Sequence, residues 1–88
     1  MKAKVIQIHK SDNVAVALQP LVKGAACQLA AHQEPVTLLD DIPFTHKVAI
    51  RAIAKGAPVI KYGSAIGSAT ADIQKGEHVH SHNIKSNY

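Results

Sequence analysis

Six histidines stand in an 88-residue chain that has two tyrosines, one phenylalanine and no tryptophan. Three of them alternate near the end, in GEHVHSHN at 76–83: His78, His80 and His82. On an extended strand alternate side chains share a face, so these three would project together while Glu77, Val79, Ser81 and Asn83 project oppositely. Same-face Cα atoms then lie roughly 6.6 Å apart, close enough for two imidazoles to converge on one metal with bonds of about 2.0 to 2.1 Å. His78 and His82 would stand roughly 13 Å apart, so all three reach one ion only if the chain bends. Three readings stand at this point. The histidines could hold a metal, with further ligands from His46, carboxylates, substrate or a second subunit; they could act as general acids, bases or hydrogen-bond partners of a polyol; or they could be the polar face of a solvated edge strand. Imidazole with oxygen ligands suits iron(II), zinc or manganese, and a single cysteine argues against a structural thiolate zinc site.

Other polar groups have simpler explanations. Asp40 and Asp41, before Ile42-Pro43, are a turn pair whose expected work is capping and solvation, and Asp12-Asn13 is likewise a turn signal first. Lys61 and Tyr62 could serve acid–base chemistry if buried beside the histidines, but a strand-end pair at a rim is the commoner arrangement. Cys27, in GAACQLAA, has no cysteine to pair with and is expected to be a packed thiol. The stretch YGSAIGSAT (62–70) lacks the GK[ST] ending of a phosphate-binding loop. Its Gly63 and Gly67 are expected to shape a loop passing close to another backbone.

The elements that must position these residues are short strands. KVIQIH (4–9), VAVAL (14–18), PVTLL (35–39), KVAI (47–50), PVIKY (58–62) and HVHSH (78–82) are rich in β-branched residues and separated by Gly, Pro, Asp or Asn. In VAVAL the larger Val14, Val16 and Leu18 share one face and Ala15 and Ala17 the other, which suits a strand covered on both sides. QLAAH (28–32) and AIRAIA (49–54) could each make one helical turn, too short to organise a helical fold. A weak repeat also runs through the chain: LVKGAAC (21–27), IAKGAPV (53–59) and IQKGEHV (73–79), with a degenerate copy in IPFTHKV (42–48). Each predicts a tight turn whose glycine takes positive φ, anchored by apolar residues on either side. Such turns predict a compact all-β domain of short, bent strands.

The length allows one domain. Its hydrophobic residues, 47% of the chain, are aliphatic rather than aromatic, so the core should be thin and completed by an oligomer or a larger partner. The net charge of +4 comes from cations scattered along the sequence, without stacking aromatics, which argues against nucleic acid. No apolar run has signal-peptide or membrane length, so no membrane association is expected and the cytoplasm is the expected compartment.

DNVAVAL (12–18), HKVAI (46–50), KGAPVIKYG (55–63), IGSATADI (66–73) and GEHVHSHN (76–83) together resemble the small N-terminal SAF-type domain of the altronate and galactarate dehydratases, in the expected order over nearly the whole chain. The resemblance implies a β-clip fold over residues 1–83, with 84–88 opening a polar linker or tail. It implies a sugar-acid hydro-lyase that uses iron(II), with manganese(II) or zinc(II) as alternatives. Most of that active site would lie in a larger subunit or C-terminal portion, so the domain should be inactive alone. Carried over by position, it points to His78 and His80 as metal ligands, His80 and His82 as catalytic groups, and Asn83 and His46 as substrate contacts. Where the family pattern expects I-P-x-G-H-K, this chain has Thr45 in place of the glycine, so the turn before His46 is expected to differ. His32 lies in no motif. The sulfolactate sulfo-lyase small subunit belongs to the same broader group, and a non-catalytic SAF-type docking module is the reading from a different class.

Overall fold

The computed structural model describes residues 4–29 and 35–86, and among them it contains nine short strands and no helix. A four-stranded antiparallel sheet has the order β1 (Val5–Ile6), β2 (Val14–Ala17), β5 (Lys47–Ala49), β8 (His78–Val79). Beside it lie a pair, β3 (Ala26–Cys27) with β4 (Val36–Thr37), and a three-stranded sheet, β6 (Pro58–Lys61), β7 (Ser64–Ala69), β9 (Ile84–Lys85). No helix of the described residues is long and apolar enough to cross a membrane.

The four-stranded sheet is buried on both faces, as the VAVAL pattern predicts. Ala15, Ala17 and Val48 pack into one cluster with Leu21, Cys27, Val36, Leu38 and Ile42. Val14, Ala49 and Val79 pack into the other with Ile53, Val59, Ala69 and Ile73. Both clusters are aliphatic, which leaves the core thin. Cys27 is buried, and burial pushes its thiol above the usual range, consistent with a packing role.

The repeated turns generate this arrangement. Four tight turns close with N–H to carbonyl bonds from Ala25 to Val22, His46 to Pro43, Ala57 to Ala54 and Glu77 to Gln74. Their third residues, Gly24, Thr45, Gly56 and Gly76, have φ of 91°, 74°, 86° and 91°, the type II pattern. Each of these donates its N–H to one buried residue in or next to a strand, which returns its own N–H to the carbonyl after the turn. The partners are Leu38, Ala17, Ala69 and Ala49 respectively. Reciprocal bridges join Leu21 to Ile42 and Ile53 to Ile73. The caps repeat as well: Asp41 accepts the Lys23 N–H and Asp72 the Lys55 N–H, each at 2.8 Å. The degenerate fourth turn therefore keeps the geometry of the others, with Thr45 in the left-handed region, correcting the expectation that it would differ.

Asp12 and Asn13 tie β2 to the β6–β7 hairpin. The buried Asp12 carboxylate accepts N–H groups from His9, Tyr62 and Gly63 at 2.8 to 3.1 Å. Burial opposes its charge, but those three donors, helped by His9, hold it below the usual carboxylate range. Asn13 accepts the Ile60 N–H and donates to the Pro58 carbonyl.

Three expectations are corrected. YGSAIGSAT is not a loop: Tyr62-Gly63 is a two-residue hairpin turn with both φ positive, and 64–69 form the longest described strand. Gly67 does pass close to another backbone, since a Cβ there would be driven into the Lys85 carbonyl oxygen. AIRAIA forms no helical turn; it is the end of β5, a bend and a bridge. Residues 28–29 are not helical, and the remainder of QLAAH, with His32, lies outside the described residues. Residues 84–85, read as the start of a tail, are strand β9 paired to β7.

Candidate functional site

The histidine strand is extended only over His78–Val79, because Asn83 folds the chain back. Its Oδ1 accepts the His80 N–H at 3.0 Å, its Nδ2 donates to the His78 carbonyl at 2.8 Å, and its own N–H and that of Ile84 donate to the His80 carbonyl. Nδ2 also lies 3.4 Å from Glu77 Oε2. The His78 N–H is held by Asp40 Oδ2 at 3.0 Å. His82 thereby returns to His78, ring centroids 4.9 Å apart, instead of standing a full strand length away.

The pairing of β5 with β8 delivers the fourth imidazole. Val48 faces His78 and Lys47 faces Val79, so one step further along the same antiparallel register His46 faces His80. Their rings stack at 3.8 Å with planes 8° apart. His46 Nδ1 also meets His78 Nε2 at 2.8 Å, a hydrogen bond that requires one nitrogen protonated and the other bare. His46, His78, His80 and His82 thus form one cluster, with Asn83 buried behind it. Asn83 has its amide engaged by the main chain of the turn, which makes it a positioning residue for the imidazoles.

Charge in the cluster is set by burial and mutual repulsion. His78 is held below the ordinary histidine value by burial first, then by His82, His46 and His80, with Asp40 opposing. His80 is lowered by burial, then by His46, Lys47 and His82. Both imidazoles therefore favour the neutral form that a base or a ligand requires. His80 Nδ1 is buried and has no hydrogen-bond partner among the described residues.

As a metal site the cluster is incomplete. Among the described residues no three His, Cys, Asp or Glu side chains are arranged to hold one ion. The rings of His46, His78 and His80 lie nearly parallel, within 7° to 14°, whereas ligands of one ion aim their lone pairs at a point. The partnerless His80 Nδ1 and the neutral His78 suit two nitrogen donors of a set completed from outside this chain.

Asp40 holds the backbone of His78, a role near the site that its place in a turn pair did not signal. Lys61 lies over the Tyr62 ring, Nζ 5.0 Å from the centroid, and makes no described contact with the imidazoles.

The sequence model of the altronate/galactarate dehydratase SAF domain matches residues 3–87. The chain is 51% identical over 82 residues to altronate dehydratase of Escherichia coli (strain K12) and 44% identical over 82 residues to that of Bacillus subtilis (strain 168). Each match covers 93% of this chain and 16% of the relative, so the chain spans about one sixth of their length. It is also 47% identical over 51 residues to (2R)-sulfolactate sulfo-lyase subunit alpha of Paracoccus pantotrophus, covering 58% of this chain and 76% of that subunit.

Proposed function

This chain belongs to the altronate/galactarate dehydratase SAF-domain family, and from that membership we propose that it supplies the imidazole edge of a sugar-acid hydro-lyase site completed by a larger portion. The observation that carries the reading is the cluster of four imidazoles with a buried, partnerless His80 Nδ1. The reaction is β-elimination of water. The proton on the carbon next to the carboxylate passes to a base, the carbon–oxygen bond at the neighbouring carbon breaks, and the departing hydroxide takes a proton to leave as water.

In this reading neutral His80 receives the carbon-bound proton at Nδ1, and exposed His82 gives a proton to the departing hydroxyl. His46 orients a substrate hydroxyl while its bond to His78 fixes which nitrogen carries hydrogen. Asn83 acts through the turn it holds. His78, with ligands from the larger portion, would hold iron(II), which, when bound, would stabilise the departing hydroxide as a Lewis acid; His80 would join that set only if the larger portion supplied the base instead. The exposed Val22 and Phe44, 65% and 56% accessible, support a docked state against the larger portion.

The test is dehydration of altronate and galactarate by this chain with its larger portion, anaerobically with iron(II), against the larger portion alone. Activity is expected only with both, and H80A should lower it by at least a hundredfold. Equal activity from the larger portion alone would overturn the reading in favour of a non-catalytic docking module. The sulfo-lyase relative, matched over 76% of its length, supports a second substrate class, so sulfolactate belongs in the same assay.

A further inference from the structure

One hollow lies away from the imidazoles. Of about 370 Å³, it lies beside Ile50 and Arg51, beyond the end of β5 opposite His46 and roughly 13 Å away along the strand. That size is at the lower end of small-molecule sites. Three cations from separate segments line it: Lys10 from the turn after β1, Arg51 from the bend after β5, and Lys75 from the fourth type II turn in chain order. Among the described residues no carboxylate lines it. The chain carries ten cations and six acidic residues, and surfaces normally intersperse the two signs. Its floor includes buried Val36 and half-buried Ile50.

Two polar groups are fixed in advance. Arg51 Nη2 donates to the Asp12 carbonyl at 2.9 Å, and among the described residues no other partner of its donor fork is seen. Gln7 Nε2 donates to the same carbonyl at 3.1 Å. Asp12 is itself anchored by three backbone N–H groups on its carboxylate, so the carbonyl that holds the guanidinium is fixed in place. A preset guanidinium, two flexible ammonium groups and an apolar floor are complementary to an oxyanion on a short carbon skeleton. A nucleic acid would need a longer basic track and stacking surfaces, which this hollow lacks.

We propose that this hollow is a second anion site, separate from the imidazole cluster, that takes a small organic acid with its carboxylate or phosphate on Arg51. The site does not depend on the elimination chemistry, so the two readings stand or fall separately. The test is a nitrogen-15 NMR titration of this chain with citrate, glycerol 3-phosphate, inorganic phosphate and glycerol. An organic anion should give saturable shifts at Gln7, Ile50 and Arg51, glycerol none, and inorganic phosphate a midpoint at least several-fold weaker because it cannot cover the floor. The preferred organic anion tells carboxylate from phosphate. R51Q should weaken the midpoint about tenfold or more, and K75Q by less, while K23Q, outside the hollow, should leave it unchanged. If R51Q does not fold, K75Q carries the test. Shifts that do not saturate, that fall equally on Lys23 and Lys55, or that fall only on the histidines would overturn the proposal. So would equal midpoints for inorganic phosphate and both organic anions.

Discussion

The Asp12 centre and the histidine turn are both polar groups packed against the aliphatic core, and they are finished to different degrees. Around Asp12 one carboxylate accepts three N–H groups, and that arrangement favours its ionised form. Around His80 four imidazoles crowd together, two are pushed toward neutrality, and one buried nitrogen has no partner. A buried polar group normally finds a partner, so a satisfied centre is read as structure and an unsatisfied one as a place that expects a visitor. Asn83 shows that the second centre is not slack: its amide fixes the turn while the imidazoles stay free.

The sharpest way to break this contrast is to remove each centre in turn. D12A leaves the N–H groups of His9, Tyr62 and Gly63 without their charged acceptor and should cost roughly 3 kcal/mol, a large share of the total for a chain this size. Urea unfolding would read it. H80A should leave the unfolding midpoint nearly where it was while abolishing turnover in the complete enzyme. Equal destabilisation by both would show that the histidine turn is structure too. N83A is intermediate: losing the amide should cost about 1 to 2 kcal/mol and also lower activity, because the imidazoles lose their frame. A loss of activity without a loss of stability would instead make Asn83 a direct substrate contact.

Acid should separate the centres by pH. His78 and His80 sit below the ordinary histidine value of 6.5, so below that pH the unfolded chain takes up protons that the folded chain resists. Their effect is a loss of stability that begins as pH falls through about 6.5 and is absent above it. Asp12 is held below its ordinary 3.8, so its stabilisation persists until the pH falls below that value and is lost toward its folded value. Two successive declines in unfolding midpoint are expected. H78A combined with H80A should remove the first and spare the second.

Much of this architecture was legible in the sequence. The Lys-Gly repeat marked three of four type II turns, and the Asp-Asn and Asp-Asp pairs read as turn chemistry are caps and ties. β7 was not legible, because Ser, Ala and Gly carry little strand propensity and its order comes from partners on both sides; Tyr62-Gly63 as a two-residue turn was the available signal. The clustering of the histidines was hidden for a different reason. Spacing predicts how far apart they stand on a straight strand, but the bend depends on Asn83 reaching back three and five residues, and His46 arrives through the register of a strand 32 positions away. Those are tertiary facts.

The smallest expected effect tests whether the turn leading into the site carries strain that the three matching glycine turns do not. Of the four matching turns, three use glycine at positive φ, and the one leading into His46 uses Thr45 at 74°. A β-branched residue in the left-handed region costs about 1 to 2 kcal/mol, and glycine returns part of that gain as unfolded-chain entropy. T45G should therefore raise stability by about 0.5 to 1 kcal/mol, read as a higher urea midpoint at unchanged slope. Strain located here would be borne by the residue that aims His46 at His80, so T45G should also loosen the 3.8 Å ring stack and lower activity slightly while stabilising the fold. A neutral or destabilising result would mean that Thr45 gains a compensating contact. The fourth turn would then be as relaxed as the glycine turns, and the contrast between the two centres would rest on hydrogen-bond satisfaction alone.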